Sequence, residues 1–382
     1  MEEIGVYIHI PFCKKKCEYC DFTSFCNQDN YIEKYVESLK KEIISKKQIF
    51  ENRTIKTIYV GGGTPSYIDA NYIKQIFETI NEVAKIDEKS EITIEVNPGT
   101  FSKEKFEVYK SVGINRVSIG LQSANDKLLK KIGRIHSYQE FLNTYKEARN
   151  YFNNINVDLM IGLPDQTLED VAESLNKVIN LNPEHISVYS LILEENTPMY
   201  YKEQTGNLNL PDEELERNMY WKVKNELEKN NYKHYEISNF AKPGFESKHN
   251  MDCWGQKEYI GFGLGASSYY NKQRFSNISN MKEYIKNIEE NNFGKNIIVE
   301  ECQNLDDEEK EFILLGLRKI DGVSISDFYN KFNQKMQEKF SKEIEKLEKE
   351  KLIEQNNNIK LTSKGIDLAN IVWEEFIWRK NL

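Results

Sequence analysis

The sequence predicts an α/β protein: a partial (β/α)6 TIM-like barrel followed by a C-terminal α+β domain with a winged-helix-like pattern. Three observations carry this. Six short apolar, strand-like runs alternate with helical stretches at intervals of roughly 30 residues, the spacing of parallel strands joined by right-handed crossovers. The rhythm breaks after Leu193 and changes again near Leu305. No apolar run approaches the roughly 20 residues of a membrane helix, whereas 22 Tyr and 19 Phe supply ample surface for a buried core.

The elements follow in order. Val6–Ile10 reads as the first strand, and Tyr31–Phe50 as a helix with Ile32, Tyr35, Val36, Leu39 and Ile43 on one face. Thr57–Val60 is a second strand closed by three glycines, followed by a helix near Tyr72–Val83. Ile92–Val96 is a third strand, ended by Asn97-Pro98-Gly99. Ser102 caps a helix to Ser111. Arg116–Ile119, Ile155–Ile161 and His185–Leu193 are strands four to six, separated by helices over Ser137–Tyr151 and Leu168–Leu181. An open doubly wound sheet shares this local pattern. Either arrangement puts a ligand site at the C-terminal ends of the strands, where the unusual residues cluster.

Beyond Leu193 come a charged helix over Pro211–Asn230, a strand over Tyr232–Ile237, a structured loop region over Phe245–Ser268 and a short helix over Lys282–Glu290. Asn291–Asn304 reads as a linker. The tail is helical apart from a hairpin, Leu352–Gln355 and Asn358–Leu361, turning at Asn356-Asn357. Thr362-Ser363 then caps a final helix to Trp378. The expected division is a core over 1–240, a connecting region over 241–304 and the tail domain over 305–382. The tail holds 16 acidic against 14 basic residues and the whole chain carries a net charge of −9. Nucleic-acid binding through a basic stripe is therefore disfavoured. The chain runs from Met1-Glu2-Glu3 straight into a strand, with no basic and apolar leader, and its six cysteines are too few for a disulfide scaffold; both features predict a cytoplasmic setting.

Cys13, Cys17 and Cys20 place three thiols within eight residues just after the first strand, with Cys26, Cys253 and Cys302 scattered elsewhere. Structural zinc wants four ligands, commonly as two separated pairs, and no second pair exists. Three thiolates on one loop suit a [4Fe–4S] cluster with one iron left open to a small molecule, and Lys14, Lys15 and Lys16 offset its negative charge.

C-x3-C-x2-C after a first barrel strand resembles the radical S-adenosylmethionine (SAM) superfamily, in which such a cluster reduces SAM to methionine and a 5'-deoxyadenosyl radical. The surrounding Tyr7-Ile8-His9-Ile10-Pro11-Phe12-Cys13 is similar to the oxygen-independent coproporphyrinogen III oxidase-like family, and within it to the HemW branch. The resemblance covers essentially the whole chain. It implies that Cys13, Cys17 and Cys20 hold the cluster and that Tyr7, Tyr19, Gly62, Gly63, Thr64 and Glu95 position SAM. Gly61-Gly62-Gly63-Thr64-Pro65 resembles the segment that contacts the SAM amino group, its glycines letting backbone N–H groups approach a ligand. Gln122, Arg134 and Asp158 match positions that bind a second SAM in the oxidase branch. Ser190 and Ser267 match further SAM contacts.

His249-Asn250-Met251-Asp252-Cys253-Trp254 resembles the HNxxYW motif of the HemW branch, which is implicated in haem binding, with Cys253 where the tyrosine stands. Both His and Cys can ligate haem iron. Two functions stay open at this point. One is a haem chaperone that hands haem to an apo-haemoprotein acceptor. The other is the oxidative decarboxylation of coproporphyrinogen III. The decarboxylase typically carries a fourth cysteine two residues after the third and a longer N-terminal extension. Here Cys20 is followed by Asp21-Phe22 and Tyr7 lies close to the start, which favours the chaperone. The resemblance also implies an electron donor of the flavodoxin or ferredoxin type, is compatible with a homodimer, and expects membrane contact only through a client.

Overall fold

The computed structural model describes residues 2–377. The six predicted strands are present as β1 Glu2–Ile10, β2 Arg53–Gly62, β3 Lys85–Val96, β4 Arg116–Gln122, β5 Ile155–Ile161 and β6 His185–Ser190, all paired in parallel register. Six shorter strands extend the sheet: β7 Lys233–Glu236, β8 Asn239–Ala241, β9 Tyr259–Phe262, β10 Ser267–Tyr270, β11 Gln273–Asn277 and β12 Ile297–Cys302. The order is β12-β11-β10-β9-β1-β2-β3-β4-β5-β6-β8-β7.

The strands alternate, apart from register shifts near Ile55 and Gly120. Ile4, Val6, Ile8 and Ile10 of β1 are buried beneath the helices, while Tyr7 and His9 face the other way. The same outward apolar set recurs as Ile58 and Val60, Ile92 and Ile94, Val117 and Ile119, Val157 and Leu159, and Ile186 and Val188. The intervening residues are Thr57 and Tyr59, Thr93 and Glu95, Arg116 and Ser118, Asn156 and Asp158, and His185 and Ser187. Buried parallel strands are usually apolar on both faces. Here the inner face is polar, so the helices cover one side and a chamber occupies the other. Tyr59, Glu95, Ser118, Asp158 and Tyr189 share one cavity wall. On a flat sheet, β2 and β6 would stand about 19 Å apart. The sheet therefore curls into a partial barrel whose two edges, β12 and β7, do not pair with each other.

The structure departs from the sequence expectation in several places. The first long helix is α-helical only over Ile32–Ser45, then continues as a 3-10 turn, Lys47–Phe50. The sixth strand stops at Ser190 rather than Leu193. The stretch expected to be loop over 245–268 contains a helix, Lys248–Trp254, and β9, which pairs in parallel with β1. Four residues are too few to show a period, and Gly261 interrupts them. That glycine is required, because a Cβ there would lie 2.3 Å from the Ser267 carbonyl oxygen. The expected linker carries β12, an edge strand with alternation too weak to read because Ile298 and Val299 are both exposed. Two short helices, Asp126–Lys131 and Pro198–Gln204, follow β4 and β6 and were not anticipated.

The tail forms its own apolar cluster around Phe328, Phe340, Leu347, Ile359 and Phe376. The hairpin appears as β14 Ile353–Gln355 and β15 Asn358–Leu361, with β13 Val323–Ser324 completing a three-stranded sheet. Thr362 caps the next turn through Gly365 N–H at 3.0 Å, and the described chain ends within helix Ala369–Ile377; Trp378, where the final helix was expected to end, lies outside the described residues. This domain docks on β7, where Ile237 N–H donates to Arg318 O and Ile320 N–H to Tyr235 O. Among the described residues no helix is long and apolar enough to cross a membrane.

Candidate cluster and cofactor site

The cysteine loop is pinned at its two ends. Cys13 N–H donates to Phe25 O (2.9 Å) and Phe25 N–H to Pro11 O (2.7 Å), a short parallel bridge that closes the loop onto itself. Between them, Cys20 N–H turns back to Cys17 O (3.3 Å), and Glu18 is held by Ile132 O and by Met199 N–H. The result directs Cys13, Cys17 and Cys20 to one wall of a cavity of about 450 Å³ at the C-terminal ends of the strands. Burial pushes the Cys13 thiol up and the Cys20 thiol up to about 11. Metal must displace those protons on binding. Thr64 Oγ1 donates to Cys13 Sγ (3.5 Å) and an Arg134 Nη to Cys17 Sγ (3.6 Å), contacts that favour the deprotonated sulfurs.

The glycine segment explains its own composition. Gly62 has φ +112°, and a Cβ there would lie 2.5 Å from the His9 ring; one on Gly63 would lie 3.0 Å from Cys13 Sγ. Its N–H groups, however, are already used: Gly62 donates to Glu95 Oε2 (3.2 Å), Gly63 to Ile10 O (2.8 Å) and Thr64 to Phe12 O (2.9 Å). The segment therefore holds the cysteine loop in place, and the expectation that these N–H groups face a ligand is corrected.

Glu95 accepts from Tyr59 Oη (2.9 Å) as well as Gly62. Burial, reinforced by the nearby Asp158 charge, pushes its carboxyl up to about 7. Asp158 is likewise pushed up by burial, although Ser118 Oγ (3.0 Å) and Asn156 Nδ2 (2.7 Å) donate to it. Gln122 sits at φ +70° where the β4–β5 register shifts, a strained backbone that sends its side chain to the cavity wall. Arg134 donates to Asn97 Oδ1 and Gly120 O, both at 2.7 Å, yet its buried Nε has no partner. A buried unpaired donor beside two carboxylates and three thiols suits a small polar ligand that carries both signs of charge.

Twelve of the sixteen expected site residues share this wall: Cys13, Cys17, Cys20, Tyr19, Gly62, Gly63, Thr64, Glu95, Gln122, Arg134, Asp158 and Ser190. Four lie off it. Tyr7 is one layer behind, its hydroxyl on His9 Nδ1 (2.9 Å). Ser267 is exposed on β10, opposite Ser276. His249 and Cys253 lie at the other end of the barrel. There Glu91 receives Lys248 N–H (3.1 Å) and His249 N–H (3.2 Å) at the N-terminus of helix Lys248–Trp254. His249 Nδ1 pairs with Thr57 Oγ1 (2.8 Å), its ring stacks on Tyr59, and burial pushes it down to about 4. Cys253 is half-buried and its thiol is pushed up to about 12 by burial. Trp254 lies under the Arg318 guanidinium at 4.4 Å and so joins the motif to the tail domain. The cavity also takes Tyr59, Asn97 and Tyr189, and an apolar lip of Phe22 and Ile192, which sequence reasoning missed. The strand alternation was the signal that could have found the first and third.

Among the described residues no three His, Cys, Asp or Glu close on one point at single-ion distance. The three thiols instead share a cavity wall, the arrangement that an iron–sulfur cube several ångströms across requires, so the donor set fits a [4Fe–4S] cluster. Bound there, the cluster would supply one-electron reduction of a ligand at its open iron; the chain supplies the sulfurs, the Arg134 donor and a water-restricting pocket.

Comparison with known proteins agrees with this geometry. Residues 7–178 match the Radical SAM superfamily and residues 304–368 the HemN C-terminal domain. The chain is 39% identical over 376 residues to "Heme chaperone HemW" of Bacillus subtilis, covering 98% of this chain and 99% of that one. It is 38% identical over 375 residues to the protein of the same name from Lactococcus lactis, covering 98% and 97%. The Escherichia coli protein of that name is 37% identical over 265 residues, 69% of each chain. The solved structure of coproporphyrinogen III oxidase (HemN) from Escherichia coli superposes with a TM-score of 0.85 over 98% of this chain and 90% of that one; at 23% identity this likeness shows the fold. A three-thiol cavity at the mouth of a partial barrel, with relatives matched along nearly their full length, places the chain in the HemW family of the radical SAM superfamily.

Proposed function

We propose that this chain is a haem chaperone of the HemW type: it carries a [4Fe–4S] cluster on Cys13, Cys17 and Cys20, takes SAM into the adjoining cavity, binds haem as cargo and delivers it to an apo-haemoprotein. The observation that carries the reading is the match, at 39% identity over nearly the whole of both chains, to a curated heme chaperone. The cavity supports the cofactor assignment. Glu95 is placed to accept from hydroxyl or ammonium groups, and Arg134 to meet a carboxylate. An electron donor of the flavodoxin or ferredoxin type would serve the cluster, and a homodimer is compatible with the reading.

Within it, His249 and Cys253 are the motif residues assigned to haem. Ligation by His249 requires helix Lys248–Trp254 to leave Glu91 and Thr57, since the ring is buried against Tyr59. The test is anaerobic cluster reconstitution followed by parallel haem titration, read in the Soret band, and a coproporphyrinogen III turnover assay. Haem binding without turnover is expected. Protoporphyrinogen formation without haem affinity overturns the reading in favour of the decarboxylase. The same titration on His249→Ala and Cys253→Ala separates the two ligands; parent-like binding by both would place haem elsewhere.

A further inference from the structure

We propose that Cys26 is a resolving thiol for Cys13: when a peroxide strips the cluster, the two close a disulfide that keeps Cys13 recoverable. The inference rests on Cys13 being a cluster ligand, as proposed above. Cys26 is half-buried and lies outside the cavity wall that carries Cys13, Cys17 and Cys20. It is nevertheless next to Cys13. An isolated parallel bridge pairs Phe12 with Phe25, and Cys13 and Cys26 are the residues that follow its two members, so the two leave the bridge side by side. Neighbouring strands run about 4.8 Å apart, inside the Cα separation of roughly 4.4–6.8 Å that a disulfide spans.

The loop's own chemistry leaves this pairing a role. Cys17 and Cys20 stand in a C-x2-C turn closed by the Cys20 N–H to Cys17 O bond and can pair with each other once iron is gone. Cys13 is then the odd thiol, free to advance to sulfinic acid, which thiol reductants do not reverse. With Cys26 present, one of the two thiols reduces the peroxide, releasing a first water and becoming a sulfenic acid. The other sulfur attacks it; an S–S bond forms, the S–O bond breaks and a second water leaves. Two electrons pass from the two sulfurs to the peroxide O–O bond, and both thiol protons end in water.

The experiment loads the parent chain and Cys26→Ser anaerobically, measures iron and sulfide, adds hydrogen peroxide until iron is released, and maps disulfides by mass spectrometry under non-reducing conditions. A Cys13–Cys26 linked peptide is expected in the parent. After thiol reduction and a second loading, the parent should recover several-fold more iron than Cys26→Ser, whose Cys13 should carry sulfinic acid. Cys13 linked to Cys17 or Cys20 instead, or equal recovery by the two chains, overturns the proposal. Iron content before peroxide reports separately on the cluster reading, and the linkage is mapped on metal-free chain as well. Cys26→Ala serves as the second variant if the serine disturbs the bridge.

Discussion

The two ends of the barrel use the same strands for opposite purposes. At the mouth, polar side chains are left partly unpaired around a cavity: the Arg134 Nε has no partner and Glu95 is held near neutrality by burial. At the foot, a chain of hydrogen bonds links polar side chains, although the buried Arg116 Nε and Trp254 Nε1 there are also without a partner. The chain starts from Asp158 on the cavity wall and runs away from it: Asp158 is joined through Asn156 to His185 Nδ1 (2.6 Å), His185 Nε2 to Tyr235 Oη (2.7 Å), and Tyr235 to Ser247 N–H (3.2 Å) at the start of helix Lys248–Trp254. The contrast teaches that a polar interior is not by itself a binding site. Unpaired buried donors occur at both ends; what distinguishes the mouth is that Glu95, Gln122, Arg134 and Asp158 line open volume, and what distinguishes the foot is closure.

That contrast is broken most directly at the cysteines. Cys20→Ala should lower iron and acid-labile sulfide at least about tenfold, because two thiolates do not retain a cube, while the urea midpoint of the metal-free chain stays near the parent value, Cys20 being only half-buried. His249→Ala should do the reverse. It removes the Thr57 pairing and the stack on Tyr59 from a sealed site, costing about 2–4 kcal/mol in denaturant unfolding, with iron content retained. If both variants lose iron equally, the two ends are not separable.

Acid sharpens the same point. All five histidines are buried and pushed down from their ordinary value, burial being the first cause in each. Between about pH 6.5 and 4 these five side chains therefore bind more protons in the unfolded chain than in the folded one, and the stability they contribute falls as pH falls through that window, against the smaller opposing effect of the raised Glu95 and Asp158 carboxyls. A urea midpoint that declines steeply from pH 6.5 to 4.5 is expected, with His249→Ala declining less. An equal decline in the parent and in His249→Ala would show the foot to be open to water. The smallest expected effect belongs to the mouth. Glu95 accepts hydrogen bonds as a carboxylate and its folded value is about 7, so SAM affinity should rise up to about tenfold per pH unit below 7 and level off above it. Glu95→Gln should flatten that rise; an unchanged slope would exclude Glu95 from the contact.

Much of the mouth was legible in the sequence because its signals are local. Three cysteines in eight residues and three glycines at a strand end mark it without any tertiary knowledge. The strand–helix rhythm and the tail hairpin were legible for the same reason. The foot was not. The partners of His249 are Thr57, Tyr59 and Glu91, nearly 160 to 190 residues away along the chain, and no local pattern encodes such a pairing. β9 and β12 escaped because short edge segments owe their conformation to the strand beside them rather than to their own alternation. That the N–H groups of the glycine segment are already taken was not legible, because two of their partners, Ile10 and Phe12, lie on another strand and its loop.

The central claim is that three thiolates at the barrel mouth hold an iron–sulfur cube with one iron open to a ligand. Its most direct test is iron, zinc and acid-labile sulfide analysis of anaerobically reconstituted chain, with the electron paramagnetic resonance spectrum of the reduced form recorded before and after SAM is added. About four iron and four sulfide per chain and a spectrum shifted by SAM are predicted. Stoichiometric zinc without sulfide, or a cluster spectrum indifferent to SAM, would contradict it.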